Sequence, residues 1–308
     1  MARCLVIGGN GFLGSYLVDA LSGAGHEVRV FDRFSAGVAS YRAAGIDRFV
    51  GDFLNHADVR QALRGQEYVF HFLSTTTPAS AEDDPTLDVR TNVASSIDLF
   101  QFAVEAGVSR LFFASTGGAM YGDRDVERLT EDMLPAPVSP YAIGKQAIEG
   151  YLRYFAVKSG LASTTFRISN PYGPRQPLTR KQGVIPIFLQ RIALGQPIEL
   201  LGDGSSVRDY IYAEDVARMI VATIDRPNRY PVYNIGSGHG TSVSELVELA
   251  KELTGRSVIT RELPAPSTFV ARAVVDTSRY VAEFGRPELV PLRAGMQLTW
   301  EQTLEQLA

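Results

Sequence analysis

The chain has 308 residues, 45% hydrophobic and 21% charged, with 30 basic against 34 acidic side chains for a net charge of −4. That length allows one large or two medium domains with a sizeable core, and the absence of a basic excess argues against nucleic acid or an anionic membrane surface as partner. A lone cysteine excludes an internal disulfide and suits a reducing compartment, and the four scattered histidines have no metal-ligand spacing. No charged leader precedes the first strand and no apolar run reaches bilayer length, so a cytoplasmic protein is expected, with no membrane span and no metal.

In chain order, the apolar run Cys4-Leu5-Val6-Ile7 breaks into Gly8-Gly9-Asn10-Gly11-Phe12-Leu13-Gly14, and Ser15 to Leu21 continues with apolar residues at helical spacing. This reads as strand, tight turn and helix. Gly8 lets the chain reverse, Gly11 lets the backbone approach a pyrophosphate, and Gly14 lets the helix lie close to the strand. A diphosphate then sits on N–H groups at the positive end of the helix. The three glycines fall three apart, not in the Gly-x-Gly-x-x-Gly form. Support comes from a second strand, Glu27 to Phe31, ending in Asp32. An acidic side chain there accepts hydrogen bonds from ribose hydroxyls and repels a 2′-phosphate, which favours NAD over NADP. Arg33 acts the other way, since a guanidinium tolerates a phosphate.

The pattern repeats with a short strand ending at Asp52, a polar helix over residues 57–63 and a buried strand over residues 68–73. Such alternation predicts right-handed crossovers and a doubly wound parallel sheet. Asp52 and Phe53 lie at a strand end on the ligand side. Asp52 either takes an adenine amino group or caps the following helix. Ser74-Thr75-Thr76-Thr77-Pro78 opens a loop over the cofactor position, and Asp83-Asp84-Pro85 starts a long helix to about Gly107 that carries Asn92. Arg110 to Ala114 is a further buried strand. The hydroxyls of Ser115 and Thr116 at its carboxyl end face the ligand crevice.

Ser139-Pro140 supplies an N-cap and a first helical residue, so Tyr141 falls in the first turn of a helix with Lys145 one turn along on the same face. Ammonium and helix end both favour a phenolate. Bringing a tyrosine from about 10 to about 7 takes roughly 4 kcal/mol, which one charge at about 4 Å in an effective dielectric of about 20 supplies. After a nucleotide fold and a Ser-Thr strand end, Tyr141 and Lys145 read as an acid–base pair.

Proline and glycine punctuate residues 171–204, which suits a smaller domain at the carboxyl edge of the sheet. Asn170 is placed to hold a diphosphate, and Arg208 either pairs with that charge or with Asp203 or Asp209. Residues 213–224 read as helix and 230–236 as a strand returning to the first sheet. Residues 242–253 and 291–307 are amphipathic helices whose apolar stripes are core. The expected division is a dinucleotide-binding domain over 1–170, rejoined by 207–236, and a substrate-binding domain over 171–206 and 237–308.

These motifs, with Arg167 to Arg175 and Leu201 to Tyr212, resemble the extended short-chain dehydrogenase/reductase family, and within it the nucleotide-sugar epimerases of the UDP-glucose (UDP-galactose) 4-epimerase type. The resemblance implies a Rossmann domain with a smaller α/β substrate domain, bound NAD, a UDP-sugar substrate and a homodimer built on the helices bearing Tyr141 and Asn92. It implies a cofactor site of Gly8, Gly11, Phe12, Leu13, Gly14, Asp32, Arg33, Asp52, Phe53, Leu73, Ser74, Thr75, Asn92, Ser115 and Ile168, with Tyr141 and Lys145. The implied substrate site is Thr76, Gly117, Asn170, Val184, Leu201, Arg208, Tyr210 and Arg272. The implied reaction passes through a 4-keto sugar, with Tyr141 exchanging the 4-hydroxyl proton. Three departures stand out. Gly117 occupies the place of the usual Ser or Thr, so Thr116 is taken as its substitute. Pro266 and Phe269 replace an Arg-x-x-Asp pair that grips diphosphate and ribose, leaving Arg272 or Arg261 for the anion. Gly117-Gly118 lacks the acidic residues of the family's dehydratases, which favours epimerisation. Two alternatives remain: a dehydratase, decarboxylase or reductase using the same tyrosine, and a non-catalytic NAD-binding sensor.

Overall fold

The structure, a computed structural model, describes residues 1–177, 183–224, 226–265 and 268–307. Its elements begin with β1 (Arg3–Ile7), α1 (Phe12–Gly23), β2 (Glu27–Asp32), β3 (Asp47–Val50), α2 (His56–Leu63) and β4 (Tyr68–His71). A helical run follows as α3 (Pro78–Asp83), α4 (Pro85–Asp88), a π-turn over Val89–Val93 and α5 (Ala94–Glu105), then β5 (Arg110–Thr116), α6 (Pro140–Ser159) and β6 (Ser163–Ile168). Next come β7 (Asn170–Tyr172), α7 (Val184–Ala193), β8 (Ile198–Leu201), β9 (Val207–Tyr212), α8 (Ala213–Val221) and β10 (Val232–Ile235). The last are β11 (Gly240–Ser242), α9 (Val243–Thr254), β12 (Thr260–Leu263), β13 (Arg272–Ala273), α10 (Ser278–Phe284) and α11 (Leu292–Leu307).

The chain divides into two compact units, the first comprising residues 1–116, 139–167 and 217–233 and the second 117–138, 168–216 and 234–308. A seven-stranded sheet of order β10-β6-β5-β4-β1-β2-β3 forms the frame of the first unit. The pairs from β5 to β3 are parallel, with Cys4 registered between Val28 and Tyr68. Helices cover both faces of such a sheet, so its strands read as continuous apolar runs, and Cys4 to Ile7 are accordingly fully buried. Leu5, Ile7, Phe31, Phe100, Leu111, Phe113, Leu152 and Phe155 belong to one core cluster. The strand order reverses between β1 and β4, and an open α/β sheet leaves its ligand crevice at the carboxyl ends of the strands on either side of that reversal. Glycine loop and Ser74 loop follow those two strands.

Two local readings change. The helix expected from Asp83 to Gly107 starts with Asp84, whose Oδ1 accepts from the N–H groups of Thr86 and Leu87, and the π-turn interrupts it at Val89–Val93. Such turns widen a helix by one residue and recur at functional sites. Helix α2 is capped by Asn55, not by Asp52, whose Oδ1 instead accepts from Leu54 N at 3.0 Å.

In the second unit, β9 lies between β11 and β13 and also pairs with β7, while β8 and β12 form a separate parallel pair. Of the 207–236 stretch, therefore, β10 joins the large sheet and β9 the small one. Phe188, Leu189, Ile198, Tyr210, Leu246 and Trp300 fill this unit's own core. Among the described residues no helix is long and apolar enough to cross a membrane.

Candidate cofactor and acid–base site

Gly8 has φ +81°, and a Cβ there would fall 2.7 Å from the Cα of Leu73, so the turn after β1 lies against the end of β4. A Cβ on Gly14 would fall 2.1 Å from the Gly8 carbonyl oxygen. This glycine packs the first turn of α1 onto the loop. Gly11 differs: its Cβ would meet only the Gly8 oxygen, at 3.1 Å, and it caps α1 without any side-chain oxygen. The first-turn donors, including those of Phe12 and Leu13, are thus left to a ligand, and the helix dipole favours an anion there. Asp32 ends β2 with its Oδ2 accepting from the N–H of Asn10 at 3.1 Å, so its carboxylate sits beside the cradle. Arg33 is exposed. The Asn10 side chain donates to Val38 O at 3.1 Å and accepts from Ser40 N at 2.7 Å, tying the strap after β2 to the glycine turn. An open glycine turn, an uncapped helix start and an acidic strand end together fit a dinucleotide. Asp52 is exposed, whereas Phe53 is buried in the core against His71, 5.2 Å between ring centroids, leaving only its backbone for a ligand.

The loop after β4 is fastened by a buried polar network. Asn92 accepts from Thr75 N at 2.9 Å and donates to Thr76 Oγ1 and Asp88 Oδ1, both at 2.8 Å. Thr76 donates to the same Asp88 oxygen at 2.5 Å. Ser74 donates to Thr76 O. The side chains of Asn92 and Thr76, expected on cofactor and substrate, are therefore engaged with the loop. Both are buried polar groups that need these partners.

Helix α6 starts as the sequence implies, with Ser139 Oγ accepting from Ala142 N and Pro140 in its first turn. Lys145 is buried, donates to Ala114 O at 2.9 Å, and lies 4.7 Å from the Phe113 ring centroid and 5.8 Å from that of Tyr141. Burial pulls the lysine down to about 8, against the pull of Asp88 and Glu149. Tyr141, half-buried, is pushed up to about 12, first by loss of hydration and then by the Asp88 carboxylate. Against the expected phenolate stand the loss of hydration, which penalises the charged phenol, and the Asp88 carboxylate. Ser115, expected at the cofactor, has its hydroxyl engaged within the fold. Its hydroxyl donates to Glu149 Oε1 at 2.5 Å, and Glu149 is in turn paired with Arg167 at 2.7 Å. Thr116, half-buried at the last residue of β5, keeps its hydroxyl out of that ion pair.

The second unit holds most of the expected substrate residues. Asn170 donates to Asp209 O at 3.1 Å and lies 3.4 Å from where a Gly118 Cβ would be. Gly117 N donates to Ile168 O at 2.6 Å. Arg208 pairs with neither Asp203 nor Asp209; its guanidinium donates to the carbonyls of Val207, Ala271 and Val270 and lies 5.6 Å from the Phe269 ring centroid. Asp209 is spent on Ser237 and Gly238, and Asp203 on Ser205. Tyr210 is buried with no partner on its hydroxyl. Arg272 donates to Glu127 O at 3.1 Å. Val184 opens α7, while Leu201 and Arg261 are exposed strand residues. Pro266 lies outside the described residues.

Asp88, Glu149 and His71 were not singled out in the sequence. The available signals were Asp88 four residues before Asn92 and Glu149 one turn beyond Lys145.

With the geometry in hand, comparison with known proteins agrees. The model of the NAD dependent epimerase/dehydratase family matches residues 4–236. The chain is 35% identical over 252 residues to the UDP-glucose 4-epimerase of Mycolicibacterium smegmatis, covering 79% of this chain and 80% of that one. The structure of a UDP-glucose 4-epimerase from Thermotoga maritima with UDP-glucose superposes with a TM-score of 0.93 at 34% identity, covering 99% of this chain and 100% of that one. A UDP-glucose 4-epimerase from Thermus thermophilus in complex with NAD gives 0.91 at 32% identity, covering 98% and 99%. The chain therefore belongs to the NAD dependent epimerase/dehydratase family, with NAD as its cofactor.

Proposed function

We propose that this chain is a nucleotide-sugar 4-epimerase acting on a UDP-hexose. The observation that carries the reading is Tyr141 in the first turn of α6, one turn from the buried Lys145, in the unit that also bears the glycine cradle and Asp32. NAD, held at Gly8, Gly11, Gly14 and Asp32, supplies a hydride acceptor and donor for sugar C4 and, when oxidised, a positive ring charge. As the phenolate that Lys145 and the positive ring of oxidised NAD favour, Tyr141 takes the proton of the sugar 4-hydroxyl to become phenol and returns it to the opposite epimer, so the reaction has no net oxidation. Lys145 stabilises the phenolate that accepts this proton, with its ammonium anchored on Ala114 O. Thr116 supplies a hydroxyl to the same proton, in place of Gly117. Asn170, Tyr210 and Arg208 serve the nucleotide diphosphate, and the unpartnered Tyr210 hydroxyl is the group best suited to a ligand oxygen. No carboxylate follows Thr116, so elimination lacks its acid–base partner.

Cytoplasmic residence and a homodimer belong to the same reading. The single cysteine supports the former. Ile143, Tyr151, Tyr154 and Val157, all exposed along α6, support a second copy packing there, to be checked by sedimentation.

The deciding experiment follows UDP-, dTDP-, GDP- and CDP-hexoses by proton NMR in deuterated water. A 4-epimer without solvent deuterium is expected with the UDP-sugar. Deuterium at C5 or C6 would mean elimination, and tight NAD binding without turnover would mean a sensor.

A further inference from the structure

Asp88 is 2% exposed, at the point where α4 passes into the π-turn. One oxygen, Oδ1, is occupied by the Thr76 hydroxyl at 2.5 Å and the Asn92 amide at 2.8 Å. The other faces α6 at the one residue that gives it room: a Cβ on Gly144 would fall 2.0 Å from Oδ2. Gly144 lies between Tyr141 and Lys145 in sequence. The missing side chain is therefore a notch that admits a carboxylate to the helix face bearing both groups. A buried carboxylate costs free energy unless it has donors or a cation nearby, and here two fixed donors hold one oxygen while the other stays directed at α6.

We propose that Asp88 is a positioning residue for the Tyr141–Lys145 pair: its carboxylate, seated in the Gly144 notch and fastened by Thr76 and Asn92, keeps Lys145 cationic and sets the pH range over which the pair works. The proposal rests on Tyr141 being the proton acceptor, as argued above. The charged and titratable groups around the pair come from several elements. Asp88 faces it from the end of α4, Glu149 from α6 itself, compensated by Arg167 on β6, and His71 from β4. His71 is held down to about 3 by burial and by Lys145, so it is neutral throughout the working range. Among the described residues, Asp88 is the charge that acts on both members, pushing Tyr141 up and Lys145 up together. Withdrawing it favours proton loss from each, and because the two groups interact, the pH profile moves as a pair.

The test is the pH dependence of kcat/KM for Asp88→Asn, which keeps an oxygen for Thr76 and Asn92 but removes the charge. Both limbs are expected to move to lower pH by about one unit, the size of a single close charge in a partly screened interior. Gly144→Ala, which displaces the carboxylate from its notch, is expected to move the limbs the same way. Ultraviolet titration of tyrosinate, taken as the difference from Tyr141→Phe, is expected to show the Tyr141 step at lower pH in Asp88→Asn, a readout a merely structural residue would not move. Unmoved limbs and an unmoved tyrosinate step in a folded Asp88→Asn protein would overturn the proposal. Undiminished turnover by Tyr141→Phe would instead overturn the reading beneath it.

Discussion

At the scale of single residues, the glycines of the first turn separate fold from ligand. Gly14 touches the Gly8 carbonyl so closely that any side chain must push α1 off the loop, whereas Gly11 meets one atom at 3.1 Å and otherwise faces open space. Gly14→Ala is therefore expected to lower both the melting temperature and NAD affinity, and Gly11→Ala to leave melting nearly unchanged while weakening NAD at least tenfold. Calorimetry and a binding titration on the two variants decide it, and equal melting losses would remove the distinction. The reversal at Gly8, the close packing at Gly14 and the acidic end of β2 at Asp32 were legible in the sequence because each depends on residues nearby in the chain or at the next strand end. The state of Tyr141 was not. Its spacing to Lys145 announces a pair, but desolvation and the Asp88 charge, which come from the surrounding fold, push the phenol upward.

Among the elements, α6 is held to the sheet by one buried ion pair. Glu149 on α6 accepts from Ser115 on β5 and from Arg167 on β6, with little of either charged side chain exposed. Deleting one partner of such a pair costs about 3–5 kcal/mol, because the remaining charge stays buried. Glu149→Ala is expected to lose that much in urea denaturation, and a loss under about 1 kcal/mol would mean that water or another side chain takes over. Element boundaries were readable where a cap marks them, as at Ser139-Pro140 and Ser242. The π-turn at Val89–Val93 was not, since apolar periodicity tolerates one extra residue without leaving a trace. The turn carries Asn92, which the sequence announced, and brings it onto Asp88 at the end of α4, which the sequence did not announce.

For the whole molecule, His71 gives a stability signature. It is fully enclosed with Nε2 sharing a hydrogen bond with Ser96 Oγ at 2.8 Å, and its pKa falls to about 3. Between about 6.5 and about 3 the unfolded chain takes up a proton that the folded one refuses, so stability falls as the pH is lowered through that window, by up to about 1.4 kcal/mol per unit. Denaturation of wild type and His71→Phe at pH 7 and 5.5 is expected to show a steeper acid loss in wild type, and parallel losses would refute it. The parallel, doubly wound character of the large sheet was foreseeable from strand and helix alternation. The assignment of β9 to the small sheet was not, because antiparallel and parallel neighbours of one short apolar strand look alike in sequence.

Asn10 has a consequence of its own. Its main-chain N–H secures Asp32, and its amide fastens Val38 and Ser40. Replacing Asn10 would therefore loosen the strap after β2 and the acidic end of that strand together.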